Sequence, residues 1–104
     1  MDEVKFELIV VLVNSGFSEI VMDAAREVGA RGGTIVRARG TGTKDMEKRY
    51  NIVITPDKEM ILILVKETIR DQMLSAIYNA AGLGTDGQGI AFSLPVNDVV
   101  GIKI

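Results

Sequence analysis

Two glycine-rich segments, residues 32–43 and 82–89, are the parts of the sequence whose backbone amides are best suited to bind an anion. In the first, Gly32-Gly33 and Gly40-Thr41-Gly42 stand at the two ends of one predicted strand, and Arg39 adds positive charge. The second has four glycines within eight residues, more than a single turn requires. Glycine lets a ligand approach the backbone closely, and successive N–H groups can surround a phosphate or carboxylate. Both segments are also compatible with ordinary turns and a flexible hairpin, so the pattern alone leaves the choice open.

Few residues of this sequence are of the types that carry covalent or metal chemistry. There is no histidine and no cysteine, which excludes a thiolate nucleophile, a Ser–His pair, a zinc site of the usual kind and a disulfide framework. The acidic residues Asp2, Glu3 and Glu7 do not form a spaced general acid–base pair. We therefore predict no catalytic residue and no metal site. The net charge of −2 gives no reason to expect nucleic-acid binding.

The elements that position the two segments alternate between strands and helices. A nearly continuous apolar stretch rich in β-branched residues, Val4–Val13, predicts a buried central strand. The residues after it predict an amphipathic helix that is capped by Ser18 and closed by Gly29, because glycine tolerates the left-handed conformation at a helix end. Thr34–Arg39 then predicts a half-exposed strand.

The second half of the chain repeats this order. A second helix is predicted over Thr68–Ala81, with Gly82 as its stop. The apolar face of that helix is predicted from residues three or four positions apart: Ile69, Met73, Ile77 and Ala80. The predicted strands are Asn51–Thr55, Glu59–Lys66, Ile90–Pro95 and a tail strand, Val99–Ile104. A turn at Pro56-Asp57 is predicted to separate the first two of these strands. Two β-α-β units in tandem describe an α+β ferredoxin-like βαββαβ sandwich, an antiparallel sheet with two helices on one face.

The length and the apolar content predict one domain that associates with further copies of itself. A chain of 104 residues is the size of one compact domain, so we predict a single domain over residues 1–104. Hydrophobic residues make up 47% of it, more than a core of this size needs, which predicts burial against sister subunits. The longest apolar run, Leu8–Val13, is too short to span a bilayer. The acidic start, Met1-Asp2-Glu3, opposes a signal peptide, and we predict a cytoplasmic protein.

Two stretches carry a resemblance to a known family: residues 28–35, which read Val-Gly-Ala-Arg-Gly-Gly-Thr-Ile, and residues 39–42, which read Arg-Gly-Thr-Gly. They resemble the first signature of the nitrogen regulatory protein P-II family, in which V-G-x-x-G-x-T-V leads into K-G-x-G at the root of a long loop, the T-loop. Residues 84–92 followed by 99–103 resemble the second signature, a G-D-G-K loop before the last strands. Residues 89–96 are similar to the ending of uncharacterised P-II-like proteins. The resemblance covers nearly the whole chain.

This resemblance implies a signal-transduction protein that is not an enzyme. Family members are homotrimers that bind adenine nucleotides in clefts between neighbouring subunits, and their T-loop docks on a transporter or an enzyme. In this chain the loop corresponds to residues 40–50. Carried over residue by residue, the resemblance implies a nucleotide site with Thr34 and Leu64 at the adenine and, around the phosphates, Arg39, Gly40, Gly42, Gly87, Gln88, Gly89 and Lys103.

The sequence departs from the family pattern at cationic positions. The phosphate-binding lysine of G-D-G-K corresponds to Gln88 or Ile90, depending on the register, and a further basic position is Gly101. Since a charge-assisted hydrogen bond contributes about 1.5–3 kcal/mol, these changes predict weak ATP binding and favour ADP, AMP or a cyclic nucleotide. The loop is also shorter than in the nitrogen sensors. Tyr50 lacks the context of the family's modified tyrosine and is predicted to begin a strand instead of being uridylylated.

Two other protein classes remain open on sequence grounds. A copper-tolerance-type trimer, structural or metal-linked and without nucleotide binding, is the main alternative. Without His or Cys its metal ligands would be carboxylates and carbonyls, which suit hard cations and not copper. An enzyme of the acylphosphatase type is the other alternative. It requires an arginine and an asparagine in a phosphate cradle, and the spacing of Arg39 from Asn51 or Asn79 gives no support for one.

Overall fold

The computed structural model describes residues 3–41, 56–84 and 89–102. Within these ranges the chain forms four strands and two helices, and a 3-10 turn at Glu67–Ile69 precedes the second helix. The strands are β1 (Phe6–Asn14), β2 (Thr34–Arg39), β3 (Asp57–Lys66) and β4 (Gly89–Val96), and the helices are α1 (Ser18–Val28) and α2 (Arg70–Ala81).

The four strands pair into one antiparallel sheet in the order β2-β3-β1-β4. β1 is central, with Leu8 opposite Leu64 of β3 on one side and opposite Leu94 of β4 on the other. This confirms the ferredoxin-like sandwich and the central strand predicted from Val4–Val13, although strand pairing begins at Phe6.

One face of the sheet packs against both helices and forms the core. Because side chains alternate along a strand, the odd-numbered residues of β1 and β3 share this face. The fully buried side chains are Ile9, Val11, Val13, Val21, Ala25, Ile61, Ile63, Met73 and Ile77. Burying one large aliphatic side chain contributes about 1.5–3 kcal/mol, so this face stabilises the single chain while the opposite face stays open.

Backbone geometry and apolar packing determine the ends of the helices. Gly29 (φ +116°) and Gly82 (φ +67°) terminate α1 and α2 in the left-handed conformation, as predicted. The predicted cap at Ser18 is wrong, because Phe17 occupies the cap position and Ser18 is the first helical residue. Phe17 packs against the core and its carbonyl accepts the N–H of Val21 at 3.2 Å, so apolar packing decides where α1 begins.

The buried face of α2 differs from the predicted face at its last position. Met73 and Ile77 are fully buried as predicted, but Ala80 is exposed and Ala81 is buried in its place. A step of four residues from Ile77 keeps to the row that faces the sheet, whereas a step of three leads to the solvent side. The α-helix also begins at Arg70, two residues after the predicted start.

Three strand predictions also change or remain untested. The turn predicted at Pro56-Asp57 is wrong at Asp57, because Asp57 is the first residue of β3 and pairs with Arg39 of β2. The predicted tail strand Val99–Ile104 is wrong over its described part, because residues 97–102 pair with neither edge of the sheet and backbone hydrogen bonding to a neighbour is what makes a strand. The predicted strand Asn51–Thr55 lies outside the described residues.

A partly buried ion pair ties the start of α2 to the central strand. Glu7 of β1 is 5% exposed, and its Oε1 accepts a hydrogen bond from Arg70 Nη1 at 3.0 Å. Arg70 Nε also donates to Asp71 Oδ1 at 3.1 Å. The bond to Glu7, and after it the bond to Asp71, raise the pKa of Arg70 above its ordinary value, so the guanidinium is a permanent partner for the buried carboxylate.

Replacing Arg70 with methionine is expected to destabilise the fold, because the variant leaves the Glu7 carboxylate buried without its cation. The matched control is Arg26→Met, since Arg26 pairs with Asp23 at 3.3 Å on the exposed surface, where such pairs contribute about 0–1 kcal/mol. Urea unfolding followed by circular dichroism measures both variants. Equal unfolding free energies for Arg70→Met and Arg26→Met would contradict a structural role for the partly buried pair.

Candidate functional site

An open cavity of about 510 Å³ lies on the sheet face opposite the helices, near the start of β2. Its walls come from β1, β3, the connection between α1 and β2, and the chain after β4. The lining residues are Phe6, Leu8, Arg31, Gly32, Gly33, Thr34, Leu62, Leu64, Lys66 and Ile102. The cavity therefore combines an apolar floor with backbone, hydroxyl and cationic groups at its rim.

The sheet register brings these residues together from distant parts of the sequence. Thr34 is opposite Leu62 across the β2–β3 pair, and Leu64 is opposite Leu8 across the β3–β1 pair. Cross-strand partners point to the same face of a sheet. The Thr34 hydroxyl consequently lies next to an apolar surface made of three leucine side chains.

Gly33 holds the connection between α1 and β2 tightly against the sheet. A Cβ added at Gly33 would lie 2.9 Å from the Met22 sulfur and 3.2 Å from the Leu62 carbonyl oxygen. A side chain at this position would displace the end of Met22 and crowd the Leu62 carbonyl oxygen, so glycine favours the close approach. At Gly32 an added Cβ would meet nothing within 4 Å, so the backbone there lies open to the cavity.

The structure separates the predicted nucleotide-site residues into two groups within one chain. Thr34 and Leu64 line the cavity, whereas Arg39, Gly40 and Gly89 lie toward the other end of the sheet. At about 3.4 Å per residue, Arg39 lies about 17 Å from Thr34 along β2. A single chain therefore does not bring the described members of the predicted site into one cavity.

The backbone near Arg39 is engaged within the chain. The Gly40 amide donates to the Pro56 carbonyl at 2.8 Å, and a Cβ at Gly40 would touch the side chain of Lys58 at 3.0 Å. An anion that binds this amide has to compete with an existing hydrogen bond. The Gly40 amide, which is predicted to bind the phosphates, therefore already has a hydrogen-bond partner within the chain.

The remaining predicted residues lie outside the described part of the chain. These are Gly42, Gly87, Gln88 and Lys103, together with most of the loop 40–50 and its end at Tyr50. Their roles stay predictions.

Sequence reasoning missed several residues that line the cavity. Leu62 and Lys66 flank Leu64 at two-residue spacing, so strand alternation was a signal that all three share one face. Arg31 occupies a variable position of the first signature, and the motif gave no reason to select it. Leu8 lies in a nearly continuous apolar stretch, where the hydrophobic pattern does not distinguish the two faces.

The sheet face around the cavity is apolar and exposed in a single chain. The exposed fractions are 57% for Ile90, 39% for Phe92, 47% for Leu94 and 38% for Val36, all on the face opposite the helices. Contiguous apolar surface of this kind marks an interaction site in a folded protein.

Residues 3–41, 56–84 and 89–102 contain neither a membrane-spanning helix nor a cluster of metal-ligating side chains. In those ranges no helix is both long and apolar enough to cross a membrane. The same ranges contain no group of three or more His, Cys, Asp or Glu side chains placed to hold a metal ion.

The fold and the open sheet face define a small ferredoxin-like α+β protein. The profile of the nitrogen regulatory protein P-II family matches residues 6–104, so the chain belongs to that family. A nitrogen regulatory protein P-II from Azospirillum brasilense is 32% identical over 88 residues, which are 80% of this chain and 79% of that protein. The crystal structure of Arabidopsis thaliana PII bound to citrate is similar with a TM-score of 0.73 at 26% identity, covering 96% of this chain and 82% of that chain.

Membership of the P-II family establishes the general class of function. P-II proteins are regulatory signal-transduction proteins of nitrogen metabolism, and they are not enzymes. The resemblance found in the sequence is thereby confirmed, and so is the prediction that the chain is not an enzyme. The match favours the regulatory interpretation over the copper-tolerance and acylphosphatase alternatives.

Proposed function

We propose that this chain is a P-II-type sensor that binds an adenine nucleotide or a related small metabolite in clefts between the subunits of a homotrimer. In this proposal the loop 40–50 docks on a partner protein, a transporter or an enzyme, in response to the ligand. The observation that carries the proposal is the cavity of about 510 Å³ in which Thr34 and Leu64 meet at the margin of an exposed apolar sheet face.

The chemistry of the cavity suits a flat, weakly polar group such as adenine. Its volume falls within the range of about 300–1,000 Å³ that is usual for small-molecule sites. The leucines at positions 8, 62 and 64 offer an apolar surface for the ring, and the Thr34 hydroxyl can donate or accept one hydrogen bond at its edge.

The exposed sheet face supports the trimer part of the proposal. In a homotrimer this face is covered by the other subunits, and a cavity at its margin is completed by a neighbour. In such a trimer, the end of the sheet that carries Arg39, Gly40 and Gly89 lines one cleft. Thr34 and Leu64 of the same subunit line another cleft. A site shared between chains accounts for the separation of these two groups within one chain.

A thermal-shift titration with ATP, ADP, AMP, cyclic AMP and citrate, each with and without magnesium, tests the ligand. A ligand that binds only the folded protein adds about 2.7 kcal/mol of stability at a hundredfold excess over its dissociation constant. We expect AMP or ADP to raise the melting temperature more than ATP does, because Gln88 or Ile90 replaces the phosphate-binding lysine. Citrate is included because the similar Arabidopsis thaliana PII is bound to it.

Two threonine variants test whether a ligand that raises the melting temperature binds in the cavity. Thr34→Val removes the hydroxyl in the cavity with little change of volume and is expected to reduce the ligand-induced shift. Thr68→Val makes the same change in the exposed 3-10 turn outside this cavity, and it is expected to leave the shift intact. No shift with any of the five compounds would count against the proposed ligand class, and equal shifts for ATP and AMP would contradict the expected preference for the less charged nucleotide.

Two further predictions from the sequence stand as part of this proposal. They are the single domain over residues 1–104 and the cytoplasmic location. Metal-dependent stabilisation without any nucleotide effect would instead favour a metal-linked trimer of the copper-tolerance type.

A further inference from the structure

We propose that Tyr78 of α2 is a positioning residue for the ligand site. By packing against Gly84 it fixes the start of the second glycine-rich segment, residues 82–89, and so strengthens phosphate binding near Gly89. This inference rests on the proposed function and adds a residue that lies outside both glycine-rich segments. Tyr78, Gly84 and Gly89 together line a cavity of about 320 Å³ between α2 and β4.

The Tyr78 side chain lies directly against the backbone of Gly84. A Cβ added at Gly84 would be 2.9 Å from the Tyr78 hydroxyl oxygen, 3.1 Å from its Cε2 and 3.3 Å from its Cζ. Gly84 also has a positive φ of +88°, a conformation that residues with a side chain rarely adopt. Glycine at position 84 therefore allows the aromatic ring and the main chain to approach each other closely.

The main chain of Tyr78 is bonded to the same segment. Its carbonyl accepts the N–H of Gly82, which ends α2, and the N–H of Leu83 at 3.1 Å. Leu83 is 5% exposed and belongs to the hydrophobic core. These contacts determine the direction in which the chain leaves α2, and the Tyr78 ring supports the next residue, Gly84.

The far end of the segment is held by the sheet. Gly89 begins β4 opposite Val13, and a Cβ added there would clash with the Leu12 carbonyl oxygen. Strand pairing thus fixes Gly89, and the Tyr78 ring fixes Gly84, the two described residues on either side of residues 85–88. Of these two contacts, the one at Gly84 is made by a side chain, so a substitution can remove it without breaking the sheet.

The position of the backbone is important because the phosphate-binding lysine of the family signature corresponds to Gln88 or Ile90. Without that cation, phosphate binding relies more on backbone N–H groups, which bind an anion when they converge on it. A backbone residue that is free before binding and ordered afterwards lowers the affinity through lost conformational entropy. Fixing Gly84 in the unliganded protein avoids part of that loss.

Tyr78 contributes little to the hydrophobic core. It is 55% exposed, whereas the buried row of α2 consists of Met73, Ile77 and Ala81. Leu74, one turn before Tyr78, packs against the core and lines the same cavity. Removal of the Tyr78 ring is therefore expected to leave the fold intact and to loosen Gly84, so that a binding defect is separable from unfolding.

Isothermal titration of AMP and adenosine into the wild type and the Tyr78 variants tests the proposal. Tyr78→Ala is expected to lower the AMP-to-adenosine affinity ratio about five- to tenfold, the effect of ordering one backbone residue at the moment of binding. A change in folding or in adenine binding affects both ligands alike, so the ratio isolates the phosphate group.

Two further variants serve as controls in this titration. Tyr78→Phe keeps the ring against Gly84 and is expected to retain most of the ratio. Asn79→Ala is the matched control, because it removes the exposed side chain of the next residue of α2, outside the cavity. Circular dichroism confirms that each variant is folded.

A second readout separates this inference from the proposed function. The heteronuclear NOE of the Gly84 amide, measured by NMR without ligand, is expected to fall in Tyr78→Ala and not in Tyr78→Phe. The amide of Gly29, which ends α1, is the internal reference. Inorganic pyrophosphate is a second probe: if it binds the wild type and adenine compounds do not, only the nucleotide proposal fails. A loss of pyrophosphate affinity in Tyr78→Ala alone would then support the positioning role.

Four outcomes would overturn the inference. The first is AMP binding with an unchanged affinity ratio in Tyr78→Ala. The second is an unchanged NOE of the Gly84 amide in that variant. The third is an equal fall of the ratio in Tyr78→Phe, which would assign the effect to the hydroxyl instead of the packed ring. The fourth is a wild type that binds neither AMP nor pyrophosphate, which would overturn both proposals together.

Discussion

Replacing Gly89 with alanine is expected to unfold β4 from the sheet and to destabilise the protein by about 3 kcal/mol or more. A Cβ at Gly89 would lie 2.1 Å from the Leu12 carbonyl oxygen and 3.1 Å from the Val13 Cα, both of them backbone atoms. The φ of +136° is in addition a conformation that residues with a side chain rarely adopt. Backbone cannot move aside as a flexible side chain can, so the strain acts on the pairing of β1 with β4.

The position of Gly89 explains why the effect is large. It is the first residue of β4 and lies opposite Val13, so it begins the pairing of an edge strand with the central strand. Loss of this pairing exposes the core next to Ala91, which packs against it.

Urea unfolding of Gly89→Ala and two matched glycine variants measures the effect. Gly16→Ala has a positive φ of +99° but open space around the added Cβ, so it reports backbone strain alone, about 1 kcal/mol. Gly32→Ala has neither a positive φ nor a close neighbour and is expected to change little. If Gly89→Ala unfolds at the same urea concentration as Gly16→Ala, the close approach to Leu12 is incorrect.

Replacing Phe92 with aspartate is expected to dissociate the proposed trimer into monomers. Phe92 lies in the middle of the edge strand β4 on the open sheet face, opposite Val10 of the central strand, and is 39% exposed in one chain. In a trimer it would be buried between subunits, and a buried carboxylate without a partner is strongly unfavourable. Its side chain is not among those of the helix-facing core, so the fold of one chain is expected to persist.

Sedimentation velocity, with circular dichroism as a check on folding, distinguishes the outcomes. The control is Ile20→Asp, because Ile20 is similarly exposed (43%) but lies on α1, away from the open face. An acidic residue in the first turn of a helix is favourable, so this control is not expected to disturb α1. A wild type that sediments as a monomer, or a Phe92→Asp variant that remains trimeric, would contradict the proposed interface.

Local sequence patterns predicted most of the fold correctly. The glycines at 29 and 82 end helices because their conformation depends only on their own backbone. The same patterns failed where tertiary packing competes with local preference. Phe17 packs on the core and replaces Ser18 as the cap, and the row facing the sheet selects Ala81 over Ala80. The described part of the tail forms no strand, since apolar alternation does not supply a neighbouring edge.

The candidate site was only partly accessible to sequence reasoning. The family signature selected Thr34 and Leu64, and both line the cavity. It also grouped them with Arg39 and Gly89, which the sheet holds at its other end within one chain. A family motif shows which residues recur together in the sequence. It does not show which of them line the same cavity within one chain.

By itself the sequence determined the element order, the helix stops and the absence of histidine and cysteine chemistry, because these depend on residue type and near neighbours. Only the tertiary structure decided that Arg31 and Lys66 line one cavity although they are 35 positions apart. The physical reason is the antiparallel register of β2 against β3. That register is a property of the packed sheet, and it places side chains on a common face whatever their separation along the chain.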